Sequence, residues 1–155
     1  MSDQILQFSV PPVVKSVTVS CAPDKAFRLF TADLAKWWPL ARFHMAAAPL
    51  TCVVEPRVGG RIFERASDGT ESIWGHVEAW DPPRLVAFTW LVGLAGHEAQ
   101  RVEVAFAPDG GRTRVVLTHS GWEKLGERAT AMRQSYDGGW VAVFEQAFAA
   151  YANAA

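Results

Sequence analysis

The sequence predicts an α+β fold, a curved antiparallel sheet of about seven strands wrapped around a long C-terminal helix, with two short helices after the first strand. Three observations predict it. A run of six strand patterns, separated by turn signals, fills residues 51–120. An apolar stripe at helical spacing fills residues 132–151. One strand and a short helical stretch precede both.

The elements follow in order. Residues 13–20, V-V-K-S-V-T-V-S, alternate Val with polar residues, the mark of a half-buried strand. Pro23 suits the first turn of a helix, and Ala26, Phe27, Phe30 and Leu34 give that helical stretch an apolar face. It ends at or before Pro39, because the residue preceding a proline is steered out of the helical region. Residues 39–49 are irregular. Strands are expected at 51–55, 61–66, 71–80, 84–91, 98–107 and 112–120, with turns at Gly59-Gly60, Ser67-Asp68-Gly69, Asp81-Pro82-Pro83 and Pro108-Asp109-Gly110-Gly111. Met132, Tyr136, Trp140, Val143, Phe144, Ala147, Phe148 and Tyr151 then repeat at three and four. The stripe keeps its phase through Gly138-Gly139, so one long helix is expected, with the glycines permitting close approach to another element. A bent sheet holding such a helix leaves a space between them; this is the helix-grip layout.

Composition narrows the function classes. The 155 residues fit one domain over 1–155, with a core from about 13 to 152. Fifteen basic and sixteen acidic residues leave a net charge of −1, without the basic excess a nucleic-acid surface requires. No run approaches the roughly 18 to 20 apolar residues of a membrane span. The first ten residues show no signal-peptide pattern, so the expected location is the cytoplasm. Eleven Arg against four Lys, one Asn and abundant Ala suggest a GC-rich bacterial genome. Cys21 and Cys52 are too few for a disulfide framework and have no metal spacing. His44, His76, His97 and His119 are scattered, and phosphate-loop, dinucleotide, zinc-protease and nucleophile-elbow motifs are missing. No metal, cofactor or catalytic set is expected. Seven Trp is the unusual count.

Strand parity sorts the candidate site residues. Thr113, Val115, Leu117 and His119 share one face, so His119 points inward near its strand's end. A buried, hydrogen-bonded histidine is the preferred reading, a polar anchor at a cavity mouth the alternative. Val102, Val104 and Phe106 share a face, leaving Glu103 toward solvent. Strand 71–80 is ambiguous; the reading favours Ile73, Gly75, Val77 and Ala79 inward and Trp74, His76, Glu78 and Trp80 outward. Glu64 is expected in a solvated ion pair with Arg61 or Arg65. Tyr136, Trp140 and Phe144 face the sheet, and Trp90, which ends its strand, is expected to cap one end of the cavity. At the corner A-K-W-W-P-L, one buried surface cannot easily use both neighbouring rings: either both pack at a sharp corner or one lines something other than the core. Trp38 is assigned toward a cavity or its lid, with His44 at the rim, and Trp37 to structural packing.

Four stretches, F-x-L-F-T…W-W-P-L at 27–40, E-P-R-V-G-G-R at 55–61, D-P-P-x-x-x-x-F-T-W at 81–90, and L-T-H-x-G-W with a later G-G-W at 117–140, appear together in this order. In them the chain resembles the START-like (SRPBCC) superfamily, and within it the family of small bacterial domains similar to the activator of heat-shock-protein-90 ATPase. The resemblance implies a cavity between sheet and long helix. The expected function is binding of a small hydrophobic or aromatic molecule, with Trp38, His44, Trp90, Val104, Leu117, His119, Tyr136, Trp140 and Phe144 as ligand-binding residues. Two alternatives stand beside it: a cavity enzyme of cyclase, hydratase or hydrolase type built on His119, His76 and Glu64, and a chaperone-associated interaction domain suggested by the family name. A binding domain is favoured over an enzyme. A homodimer and a chaperone partner are left open.

Overall fold

The computed structural model describes residues 10–92 and 100–155. Residues 1–9, on which most of the signal-peptide reading rests, lie outside it, as do His97 and the start of the strand expected at 98–107.

The alternation of residues 13–20 builds β1 (Val13–Val19). Pro23 opens α1 (Pro23–Thr31), where its missing N–H leaves no helical bond unmade. The single-turn α2 (Leu34–Trp37) stops because Trp38, ahead of Pro39, is extended. Six strands follow: β2 (Pro49–Val54), β3 (Arg61–Ala66), β4 (Glu71–Asp81), β5 (Leu85–Trp90), β6 (Gln100–Asp109) and β7 (Arg112–Ser120). The sheet order is β1-β7-β6-β5-β4-β3-β2, and every neighbour is antiparallel. β1 and β2 are therefore the two edges, and α1 and α2 carry the chain between them. The sheet curls into a half-barrel around the C-terminal helix, which is the helix-grip fold.

That helix is compound. A 3₁₀ stretch (Trp122–Arg128), kinked at Gly126, leads into α3 (Ala129–Trp140). A π-helical run (Val141–Phe148) and α4 (Ala149–Ala154) complete it. The stripe 132, 136, 140, 144, 148 repeats strictly at four, which overshoots a 3.6-residue turn. The wider π turn takes up the overshoot and keeps Phe144 and Phe148 on the sheet-facing side, stacked with centroids 5.7 Å apart. Polar ties seat the helix: Lys15 Nζ meets Asp137 at 3.0 Å, Asn153 Oδ1 accepts the Ser20 N–H at 2.9 Å, and the Tyr151 hydroxyl donates to Asp33 at 2.8 Å.

β4 corrects the expected facing of strand 71–80. Two register shifts each leave one residue of β4 unopposed, Trp74 against β3 and Glu78 against β5. Each bulge breaks the period of two. Trp74, Val77 and Trp80 consequently all turn inward at a spacing of three, while Ile73, His76 and Glu78 are exposed. Gly75 sits at the first bulge, where a Cβ would fall 1.7 Å from the Thr89 carbonyl oxygen. On β3, Phe63 faces outward but is buried beneath Arg61, whose guanidinium lies 4.2 Å from its ring centre.

The expectation for Gly138-Gly139 is also corrected. A Cβ at Gly138 would meet nothing, and one at Gly139 would touch only Phe43, at an ordinary 3.7 Å. Close packing does not require these glycines.

Candidate functional site

A hollow of about 340 Å³ opens between the curled sheet and α3. Its wall is built from four separate elements. Trp38 comes from the W-W-P corner, Trp74 from the first bulge of β4, Trp90 from the end of β5 and Trp140 from the end of α3. The indoles pack tilted against one another for Trp38–Trp74 and Trp90–Trp140, with centroids 4.8 Å and 5.7 Å apart, and edge against face for Trp38–Trp140, at 6.0 Å. Tyr136 and Met132, one and two turns earlier on α3, extend the wall, with Val92 and Val143. The rim is different in kind. Arg42, His44 and Met45 of the 39–48 loop and Ser135 of α3 are exposed there, beside Phe43 and Gly139.

Every indole N–H of this wall is engaged inside the protein. Trp38 Nε1 donates to Phe43 O at 2.9 Å, and Trp74 Nε1 to Glu64 Oε1 at 2.8 Å. Trp90 Nε1 donates to the Tyr136 hydroxyl at 3.1 Å, which in turn donates to Val92 O at 3.0 Å. Burial pushes the Tyr136 phenol up from its usual range, so it stays protonated. Trp140 Nε1 donates to His119 Nδ1 at 3.0 Å.

That last bond fixes the state of His119. An indole nitrogen can only donate, so Nδ1 must be the acceptor and Nε2 carries the proton, which it gives to Gln100 Oε1 at 2.9 Å. His119 is fully buried, and burial pulls its imidazole down to about 3. It is a neutral strut behind Trp140, packed at a tilt against Trp122 with 4.3 Å between ring centres.

Glu64 departs from the expected solvated ion pair. Its inward position on β3 buries it completely. Arg61 and Arg65, on the opposite face, pair with Glu55 and Glu71 instead. Oε1 of Glu64 accepts the Met45 N–H at 2.6 Å as well as the Trp74 indole, and Oε2 accepts the Ala46 N–H at 2.8 Å. One carboxylate thus ties the rim loop to the wall.

Of the residues singled out in the sequence, Trp38, His44, Trp90, Tyr136 and Trp140 come together around the hollow. Val104, Leu117, His119 and Phe144 are buried in the core and do not line it. Trp37 packs on Phe30 and Phe148, with its N–H on Leu29 O at 3.0 Å. His76 is exposed and Glu103 half-buried beside Arg101, so neither reaches the site. The reading missed Trp74, Arg42, Met132, Ser135 and Val143. Trp74 had a signal: an isolated glycine inside a strand, Gly75, marks a bulge. No cluster of metal-ligating side chains occurs among the described residues, and no helix there is long and apolar enough to cross a membrane.

A family model described as "Activator of Hsp90 ATPase homolog 1-like protein" matches residues 20–153. No curated protein matches the chain. Among solved structures, an anthrahydroquino-gamma-pyrone synthase, Txn09, is 34% identical over 92% of this chain and 97% of its own, with a TM-score of 0.62. CalC from Micromonospora echinospora, described as a self-sacrificing resistance protein, is 29% identical over 93% and 95%, with a TM-score of 0.69. Protein MLL2253 from Mesorhizobium loti, 21% identical over 88% and 93% with a TM-score of 0.66, shares the fold.

Proposed function

The chain belongs to the Activator of Hsp90 ATPase homolog 1-like family, and from that premise and its indole-walled hollow we propose that it binds a small hydrophobic or aromatic molecule between the curled sheet and the C-terminal helix. The observation that carries the proposal is the wall itself. Four tryptophans from four elements surround space instead of filling it. At about 340 Å³ the hollow falls within the range of small-molecule pockets, roughly 300–1,000 Å³. With each indole N–H already bonded, the wall offers ring faces and edges, which reward aromatic and apolar surface.

Gly139 provides the test, because a side chain there projects beside Phe43 at the mouth. N-phenyl-1-naphthylamine is titrated into the protein while indole emission and probe fluorescence are followed. Saturable quenching is expected for the wild type, and binding at least about tenfold weaker for Gly139→Leu. No binding, or equal binding by the variant, would overturn the proposal.

A catalytic reading has one specific observation behind it, the 34% identity to a synthase. Its sequence-based parts do not meet: His119 and Glu64 are buried behind the wall and His76 is exposed on β4. Proton transfer would fall to Tyr136 and His44. Mass spectrometry of a bound molecule after incubation separates the two readings, since binding returns it unchanged.

A further inference from the structure

The polar groups around the hollow are unevenly distributed, and the unevenness specifies an occupant. The wall is closed to new hydrogen bonds: its four indoles donate to protein acceptors, and the Tyr136 proton lies on Val92 O. The rim is open. The Arg42 guanidinium is exposed, stands 5.1 Å from the centre of the Phe43 ring, and has no hydrogen bond or ion pair among the described residues. Among the described residues it is the one arginine or lysine that lines the hollow, and no described carboxylate lines it. Glu64, buried behind the rim loop, has its oxygens on Met45 N, Ala46 N and Trp74 Nε1.

An anion placed deep among the indoles would lose its hydration and find no free donor, a costly arrangement. At the rim it keeps water and gains a guanidinium that can donate two parallel hydrogen bonds. A cation is attracted by indole faces, but here it would enter past the positive charge of Arg42, which no described carboxylate pairs.

We propose that the occupant is an aromatic acid, its rings among Trp38, Trp74, Trp90 and Trp140 and its anionic group held at the rim by Arg42. The proposal rests on the binding reading above and adds charge selectivity to it. Arg42 is then the residue that decides which aromatic molecules are retained.

Two probes with one ring skeleton test it. 1-Anilinonaphthalene-8-sulfonate carries the anion, and N-phenyl-1-naphthylamine lacks it. Each is titrated into the wild type, Arg42→Gln, Arg112→Gln and Gly139→Leu at low and high salt. The expected result is that Arg42→Gln weakens the sulfonate by about three- to tenfold and leaves the uncharged probe unchanged. Added salt should likewise weaken only the sulfonate. Arg112→Gln, at the start of β7 and off the lining of the hollow, should change neither, and Gly139→Leu should weaken both. An Arg42→Gln effect equal for the two probes, no effect at all, or an equal loss in Arg112→Gln overturns the charge assignment while binding in the hollow stands. Failure of both probes to bind the wild type, or their indifference to Gly139→Leu, overturns the binding reading and this proposal with it.

Discussion

His119 shows how one residue can serve a pocket without touching its contents. Its ring joins Gln100 on β6 to Trp140 on α3, so the imidazole sets where one wall of the hollow stands. Burial keeps it neutral, with a folded-state value of about 3 against an ordinary 6.5. Between those values the unfolded chain binds one more proton than the folded one. The contribution to stability is therefore complete above about pH 6.5 and is lost as pH falls toward 3, at up to about 1.4 kcal/mol per pH unit. Urea unfolding at stepped pH should show this slope in the wild type and a shallower one in His119→Gln. In nitrogen NMR the ring should appear as the neutral Nε2–H tautomer, unchanged from pH 8 to pH 5. A His119 titration centred near 6.5 would remove this account.

At the scale of elements, the decisive contact is between β3 and the loop that follows α2. Glu64 accepts two successive loop amides and one indole, three N–H donors on two oxygens. Glu64→Gln keeps the shape but replaces one acceptor oxygen with a donor, so at least one N–H loses its partner. A loss of about 1–3 kcal/mol is expected, together with faster hydrogen exchange at Met45 and Ala46. Unaltered exchange there would show that the loop is held by something else. The same elements show what a sequence discloses. The seven strands, the helix pair and the C-terminal helix were legible because each has its own period and its own turn residues. Trp38, His44, Trp90, Tyr136 and Trp140 were legible as well, since corner, strand end and helical stripe each aim a side chain. Parity failed on β4, where two bulges turn Trp74, Val77 and Trp80 to one side. The expected ion pair of Glu64 failed too: Glu64 points inward on an apolar face, and its partners come from a loop eighteen and nineteen residues earlier. Val104, Leu117 and Phe144 face the interior as their patterns require, but a pattern cannot distinguish packed interior from hollow.

The whole molecule divides its interior between these two uses. At one end Phe30, Trp37, Phe144 and Phe148 interlock with centroids 5.0–6.5 Å apart, and α4 is fastened through Asn153 to Ser20 at the end of β1 and through Tyr151 to Asp33 ahead of α2. At the other end an equal wealth of aromatic rings encloses about 340 Å³ that the chain leaves unfilled. Unfilled apolar space forfeits dispersion contacts that a side chain could make. A helix-interior glycine beside that space adds a cost of about 1 kcal/mol relative to alanine. Neither is demanded by packing, since a Cβ at Gly139 meets Phe43 at an ordinary distance. Stability and an open mouth therefore pull in opposite directions at this position. Gly139→Leu should raise the unfolding free energy by about 1–2 kcal/mol, from helix propensity and partial burial of the new side chain. The same change should abolish the rise in melting temperature that an aromatic ligand gives the wild type. Thermal and urea unfolding, each with and without 1-anilinonaphthalene-8-sulfonate, measure both effects on one protein. A variant that is less stable and still stabilised by the probe would mean that the space beside Gly139 is not the mouth of a binding site.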